Sequence, residues 1–414
     1  MKLENRFLKY ISFDTQSDPA SKTTPSTSKQ LKLADFLSQE MKILGMNKVV
    51  LDEHGIVYGV IPGNTQGMGE RVGFIAHMDT SPDASGKDID PQIIRNYTGG
   101  DILLNEEKRM VLSPKDSPVL DELIHHDLIT TDGNTLLGAD DKAGIAIIMT
   151  MAEYLHKNPS FKHNDILVAF TPDEEIGRGT DFFDLTQFDA DYAYTIDGGD
   201  IREYNDENFN AFAVTVTITG KSYHPGSAKN RMVNALTVAR DFDFMLGDIS
   251  RPEHTEDREG FYHLCNVTGD VSEVTMDYIV RDHDLMKIHQ LMDHMSDCSD
   301  FLNKKYYNNC VMITFTKQYE NMHSILQKSP QISDTIRQAM ERVGLTPRKV
   351  PVRGGTDGAM LSFKGLPCPN IGTGGYNYHG PYEFVSITSM NKGVELLLCM
   401  IKIITERNMS VSNK

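Results

Sequence analysis

Four short apolar runs punctuate the first half of this chain: IVYGVI at 56–61, VGFIA at 72–76, ILVAF at 166–170 and YAYTI at 192–196. Their flanks are rich in Gly, Pro, Asn and Asp, the residues that end strands. None alternates apolar with charged positions, so each reads as a strand buried on both faces, and a sheet of such strands must be covered by helices. Helical segments stand between them. Leu33, Phe36, Leu37, Met41 and Leu44 recur at helical spacing after TPSTS, which offers Ser and Thr caps, and Gly45 stands at the stop. Residues 144–155 are apolar almost all round and end before Pro159, as expected of a helix buried against the sheet. The alternation points to an α/β fold with a mixed sheet flanked by helices.

The texture changes near residue 208. Residues 212–219 alternate between apolar and Thr positions at period two, the pattern of a strand with one solvated face. A helix over 231–246, strands near 261–267 and 274–280, a helix over 285–301 and a strand at 311–315 follow. The order βαββαβ is that of a smaller α+β, ferredoxin-like domain inserted into the first. From Ile332 the α/β texture returns, with a helix ending near Gly344, a Gly-rich stretch at 372–375 and a last helix around 391–405. The expected organisation is therefore 1–207 and 319–414 as two parts of one domain, with 208–318 between them. A chain of 414 residues is long enough for more than one core.

The formal net charge of −17, without a basic stripe, argues against nucleic acid as a partner, because phosphate binding needs concentrated Lys and Arg. The five cysteines are odd in number, widely spaced and without a C-x-x-C pair, which reads as reduced thiols in a cytoplasmic protein. The beginning lacks the apolar stretch of a signal peptide, and nowhere do 18 apolar residues run together, so no membrane association is expected.

The chemistry gathers where these runs stop. Glu174 and Glu175 in TPDEEIGRG follow the third run, and His77 and Asp79 in HMDTSPD close the second. Asp140 and Asp141 in GADDKAG precede the buried helix, Asp197 in TIDGG ends the fourth run, and His379 follows the Gly-rich turn. Open sheets bind ligands at the carboxyl ends of their strands, so these segments converge on one edge. Each alone has an ordinary reading: a structural His–Asp pair, a capped helix, a turn or a solvated acidic loop. Together, carboxylate and imidazole without thiolate suit Zn, Co or Mn, and a binuclear centre needs one bridging carboxylate plus further ligands on each ion. Asp140 as bridge, His77 and Asp197 on one ion, and Glu175 and His379 on the other meet that count. Glu174 is left free as general base, and Asp79 is spaced to orient His77.

HMDTSPD, GADDKAG, TPDEEIGRG, TIDGG, SYHPGSAKN, RGGTDGA and TGGYNYHGPYEF occur in this order across nearly the whole chain. The set resembles the binuclear zinc peptidases related to aminoacylase and carboxypeptidase G, and among them the tripeptide aminopeptidases. The resemblance implies two zinc ions per subunit, with Co or Mn as substitutes, and the ligand set above. A hydroxide bridging the ions would attack the peptide, with Glu174 as base and Asp79 orienting His77. It further implies a cis peptide between Asp140 and Asp141, His224 as oxyanion stabiliser, a tripeptide substrate and a homodimer. Arg353 suits a bidentate grip on a peptide carboxylate, with Arg281 as a rival, although a structural ion pair explains Arg353 equally well. Two alternatives stay open: a dipeptidase, carboxypeptidase or N-acyl-amino-acid hydrolase on the same scaffold, and a noncatalytic peptide-binding protein.

Overall fold

The computed structural model describes residues 1–65 and 69–412 and divides into two compact units. One comprises Met1–Asp206, Ser324–Val350 and Thr356–Lys414, the other Glu207–His323 and Pro351–Gly355. The inserted segment thus ends at His323, and a short piece of the last part of the chain returns to it.

The larger unit is built on an eight-stranded mixed sheet. At its middle Ile166–Thr171, Val72–His77 and Tyr192–Gly198 run parallel, side by side. Val57–Ile61 and Asn47–Leu51 continue one edge antiparallel, and Asn370–Gly372, Glu203–Asn205 and Arg348–Lys349 form the other. All residues of Val72–His77 and Ile166–Thr171 are buried, as runs without alternation require. On one face Ile75, Ala169 and Ala193 pack with Phe183, Phe188 and Leu361. The helix Ala139–Lys157 lies against Val72–His77 and Tyr192–Gly198 and carries Leu3–Ile11 and Ile387–Ser412 on its outer side. The approach is close: a Cβ on Gly144 would stand 1.9 Å from the Ile196 carbonyl oxygen, so only glycine fits.

Several elements extend past their expected ends, and the central strands run on to His77, Thr171 and Gly198. The first long helix is Gln30–Ile43, and no side chain caps its start. Ser26, from the stretch expected to cap it, instead donates both its N–H and its hydroxyl to Asp173, at 2.6 and 2.5 Å. A tertiary partner has taken the group that local chemistry would have assigned to the helix. A second sheet, made of Gly375–Tyr376, Phe384–Ser386, Leu128–Thr130 and Gln92–Ile94, has no signal in the sequence because strands of two or three residues display no period.

The inserted unit is a four-stranded antiparallel sheet in the order Phe261–Gly269, Glu273–Asp282, Asn210–Thr219, Val311–Tyr319. With helices Ala235–Leu246 and Leu285–Lys305 it has the βαββαβ order and ferredoxin-like strand arrangement. Its own core joins Val216, Val238, Phe242, Tyr278, Met295 and Leu302. The first of these helices begins at Ala235 rather than 231, because Val233 is bridged to Lys221 and Asn234 caps the helix by accepting the N–H of Leu236. Among the described residues no helix is long and apolar enough to cross a membrane.

Candidate metal centre

The three central strands end together, and their ends supply the site. His77 is the last residue of its strand, Asp197 lies one residue before the end of Tyr192–Gly198, and Glu174–Ile176 forms a 3-10 turn just past Thr171. Asp140 enters at the head of Ala139–Lys157, where Asp140 and Asp141 leave helical geometry and are joined by a cis peptide bond. His379 comes from the loop between two strands of the small sheet. Asp173 and His379 both have positive φ, at 59° and 66°, a conformation that non-glycine residues hold only when their surroundings fix it. For Asp173 the fixing is visible: the buried carboxylate accepts from Ser26 and from the Gln30 amide at 2.7 Å.

Asp140 stands between two imidazoles. Its Oδ1 is 3.0 Å from His77 Nε2, and its Oδ2 is 3.4 Å from His379 Nε2. Asp197 Oδ1 lies 3.6 Å from His77 Nε2, and Glu175 Oε2 lies 3.0 Å from His379 Nε2. Donor atoms of His77, Asp140 and Glu175 all fall within 4.8 Å of one another, as do those of His77, Asp141 and Asp197. Glu175 Oε1 is buried without a hydrogen-bond partner. Buried oxygens are rarely left unpaired, and a cation bound at Glu175 would satisfy this one.

The electrostatics agree with that demand. Burial pushes Glu174 well above the usual carboxylate range, with nearby His77 opposing and Asp197 adding to the shift. Burial likewise takes Glu175 and Asp197 up to about 7. Asp140 goes the other way: burial alone would raise it, but hydrogen bonds with His379 and His77 hold it below its ordinary value. Contact with Asp140 and Glu175 in turn pushes His379 up to about 11. Negative charge is in excess, and divalent cations that take mixed oxygen and nitrogen ligands would relieve it. The residues present therefore fit a pair of such ions, with Asp140 facing both halves of the group.

Asp79 faces His77 and also holds the neighbouring turn. His77 Nδ1 meets the main-chain carbonyl of Asp79 at 3.1 Å and its carboxylate at 3.4 Å. That carboxylate, fully buried, accepts the N–H groups of Glu174 and Glu175 at 3.0 and 3.2 Å. Two residues beside the site had no assigned part. Asp141 accepts the N–H groups of His77 and Gly144, each at 3.2 Å. Asp357, in the RGGTDGA motif, accepts the Thr171 hydroxyl at 2.8 Å. Neither is distinguishable by spacing alone.

His224, Arg281 and Arg353 all belong to the inserted unit. His224 is exposed, and its Nδ1 accepts the N–H of Gly226 at 3.2 Å. Arg281 donates to the carbonyls of Phe212 and Val280 and to Gln318 Oε1. The Arg353 guanidinium donates to the carbonyls of Asp257 and Glu259 at 3.0 Å and to the Thr255 hydroxyl at 3.0 Å, and lies over the rings of Phe209 and Phe261. It holds the loop at 255–259 in place.

Residues 129–403 match the model of peptidase family M20/M25/M40. The chain is similar to Peptidase T of Clostridium novyi, 50% identical over 96% of this chain and 98% of that one. It is similar at the same identity and coverage to Peptidase T of Alkaliphilus oremlandii. Its fold is similar to the crystal structure of aminopeptidase PepT from Bacillus cereus, at a TM-score of 0.76, 21% identity and coverage of 97% and 98% of the two chains. The fold is also similar to that of the Bacillus subtilis YXEP protein, described as a dinuclear metal-binding peptidase of the M20 family, at a TM-score of 0.67, 12% identity and 98% coverage of both chains.

Proposed function

The chain belongs to peptidase family M20/M25/M40, and from that premise we propose that this peptidase is a binuclear zinc aminopeptidase that releases the N-terminal residue of tripeptides. The observation that carries the reading is Asp140, whose two carboxylate oxygens face His77 and His379 separately while Asp79 holds the turn that carries Glu174. His77 and Asp197 would hold one ion, Glu175 and His379 the other, and Asp140 both. When bound, the ions would polarise the scissile carbonyl and acidify water at neutral pH. Glu174 takes the proton of the attacking water on its carboxylate and delivers it to the nitrogen of the leaving dipeptide. Asp79 keeps the turn that carries Glu174 and Glu175 fixed through their main-chain N–H groups. The preference for tripeptides rests on the resemblance of the motif set to the tripeptide aminopeptidases. The five free cysteines favour a cytoplasmic setting.

A panel of di-, tri- and tetrapeptides together with N-acetylated peptides, assayed with and without a chelator, tests metal dependence and substrate class at once. Tripeptides should lose their first residue fastest, chelation should stop the reaction, and added zinc should restore it. Equal turnover of N-acetylated peptides, or full activity in chelator, would overturn the proposal.

A further inference from the structure

Three of the five segments that bring a prospective ligand have main-chain N–H groups held by a carboxylate from another such segment. Asp79, two residues after His77, accepts the N–H groups of Glu174 and Glu175. Asp141, next to Asp140, accepts the N–H of His77. Glu383, four residues after His379, accepts three N–H groups from the turn that delivers Asp140. Leu137 donates to its Oε2 at 2.6 Å, Gly138 to the same oxygen at 2.9 Å, and Asp140 to its Oε1 at 3.1 Å. The contacts close on themselves, because Glu175 meets His379 at 3.0 Å.

Glu383 is the member of this ring on which the geometry of Asp140 depends most directly. It is 1% exposed, and both its oxygens are engaged by main chain. Gly138, at the N-terminal boundary of Ala139–Lys157, has a left-handed conformation and no side chain to accept the N–H of Asp140, which Glu383 accepts instead. Rotation of the main chain at 137–140 would turn Asp140 away from one imidazole or the other. We propose that Glu383 is a positioning residue of the metal centre, fixing that turn so that Asp140 presents one oxygen to each half of the site. The three N–H contacts hold the turn in the protein itself, so a ligand has little left to organise, and outer partners of this kind typically govern affinity by 10- to 100-fold.

The inference rests on the reading of Asp140 as the shared ligand, and the test separates the two. Metal-free parent, Glu383→Gln, Glu383→Asp, Asp140→Asn and Glu40→Gln proteins are titrated with zinc against a chromophoric chelator, and their unfolding is followed without metal. Glu40 is a buried carboxylate bound to Arg6 and Tyr10, away from the prospective ligands, and controls for lost stability alone. Glu383→Gln should weaken zinc binding about 10- to 100-fold, Glu383→Asp should also weaken it, and Glu40→Gln should leave it within twofold of the parent. Asp140→Asn should lose at least one zinc. Unchanged zinc affinity in Glu383→Gln, with Asp140→Asn impaired, would overturn the positioning role and leave the ligand reading intact. Two tightly bound zinc ions in Asp140→Asn would overturn both. Equal losses in Glu383→Gln and Glu40→Gln, or failure of both Glu383 variants to fold without metal, would assign Glu383 to general stability and overturn the inference.

Discussion

Glu174 and Glu175 share one turn and have unequal surroundings. Glu175 faces His379 and keeps one buried oxygen unpaired, while Glu174 is raised above the carboxylate range with its main chain tied to Asp79. Truncating each should therefore give different losses. Glu174→Ala should lower kcat by about a hundred to ten thousand fold while leaving the zinc content of the purified enzyme near the parent's. Glu175→Ala should lose zinc as well as turnover. Metal analysis beside steady-state kinetics checks both, and a Glu174→Ala protein that keeps turnover would remove the base from the mechanism. Asp79 offers a finer distinction. Asp79→Asn replaces one accepting oxygen with a donor that faces the N–H of Glu174 or Glu175, so kcat should fall more than zinc affinity.

At the scale of elements, the helix Ala139–Lys157 joins the site to the rest of the larger unit. Its first turn holds Asp140, Gly144 lies against the strand that ends near Asp197, and its far end carries Glu153. Gly144→Ala would force helix and strand apart and should cost about 3 kcal/mol of stability, with weaker zinc binding because Asp197 moves with its strand. Urea denaturation and zinc titration measure the two effects. Arg6 links three helices by bonding Glu40 at 2.9 Å and Glu153 at 2.7 Å. Burial alone would raise Glu153, but hydrogen bonds from cations that include Lys157 and Arg6 lower it from 4.5 to about 2. The folded value lies below the unfolded one, so the stabilisation is complete above about pH 4.5 and is lost as the pH falls toward 2. The stability gap between parent and Glu153→Gln, about 2 kcal/mol at pH 6, should therefore narrow as the metal-free proteins are unfolded at successively lower pH. A gap that stays constant would show that the carboxylate's charge is not what matters there.

For the whole molecule, every prospective metal ligand lies in the larger unit, and the inserted unit has a core of its own. Zinc at a hundred times its dissociation constant should stabilise the larger unit by about 2.7 kcal/mol. Hydrogen exchange should then slow in the strand Val72–His77 and stay unchanged in Asn210–Thr219. Slowing in both would mean that the units unfold together. Sedimentation at micromolar concentration tests the homodimer that the motif resemblance implies, and a monomer there would overturn it. Much of this architecture was legible in the residues. Runs apolar on both faces specify buried strands, period-two alternation marks the inserted sheet, and acidic or His residues at strand ends mark the prospective ligands, because burial and backbone period act locally along the chain. What the residues could not reveal is which carboxylate serves which partner. Asp141, Asp173 and Glu383 are indistinguishable from ligands or caps by type and spacing, and Ser26 reads as a helix cap until Asp173 is placed beside it. Those pairings join residues far apart in sequence, as Glu383 and Gly138 are. They exist only once the chain has brought the segments within 3 Å or so of one another, the range over which hydrogen bonds act. By itself, then, the sequence determined the layers, the inserted domain and the kinds of atoms at the site. The tertiary structure decided which of those atoms face the site and which hold the main chain around it.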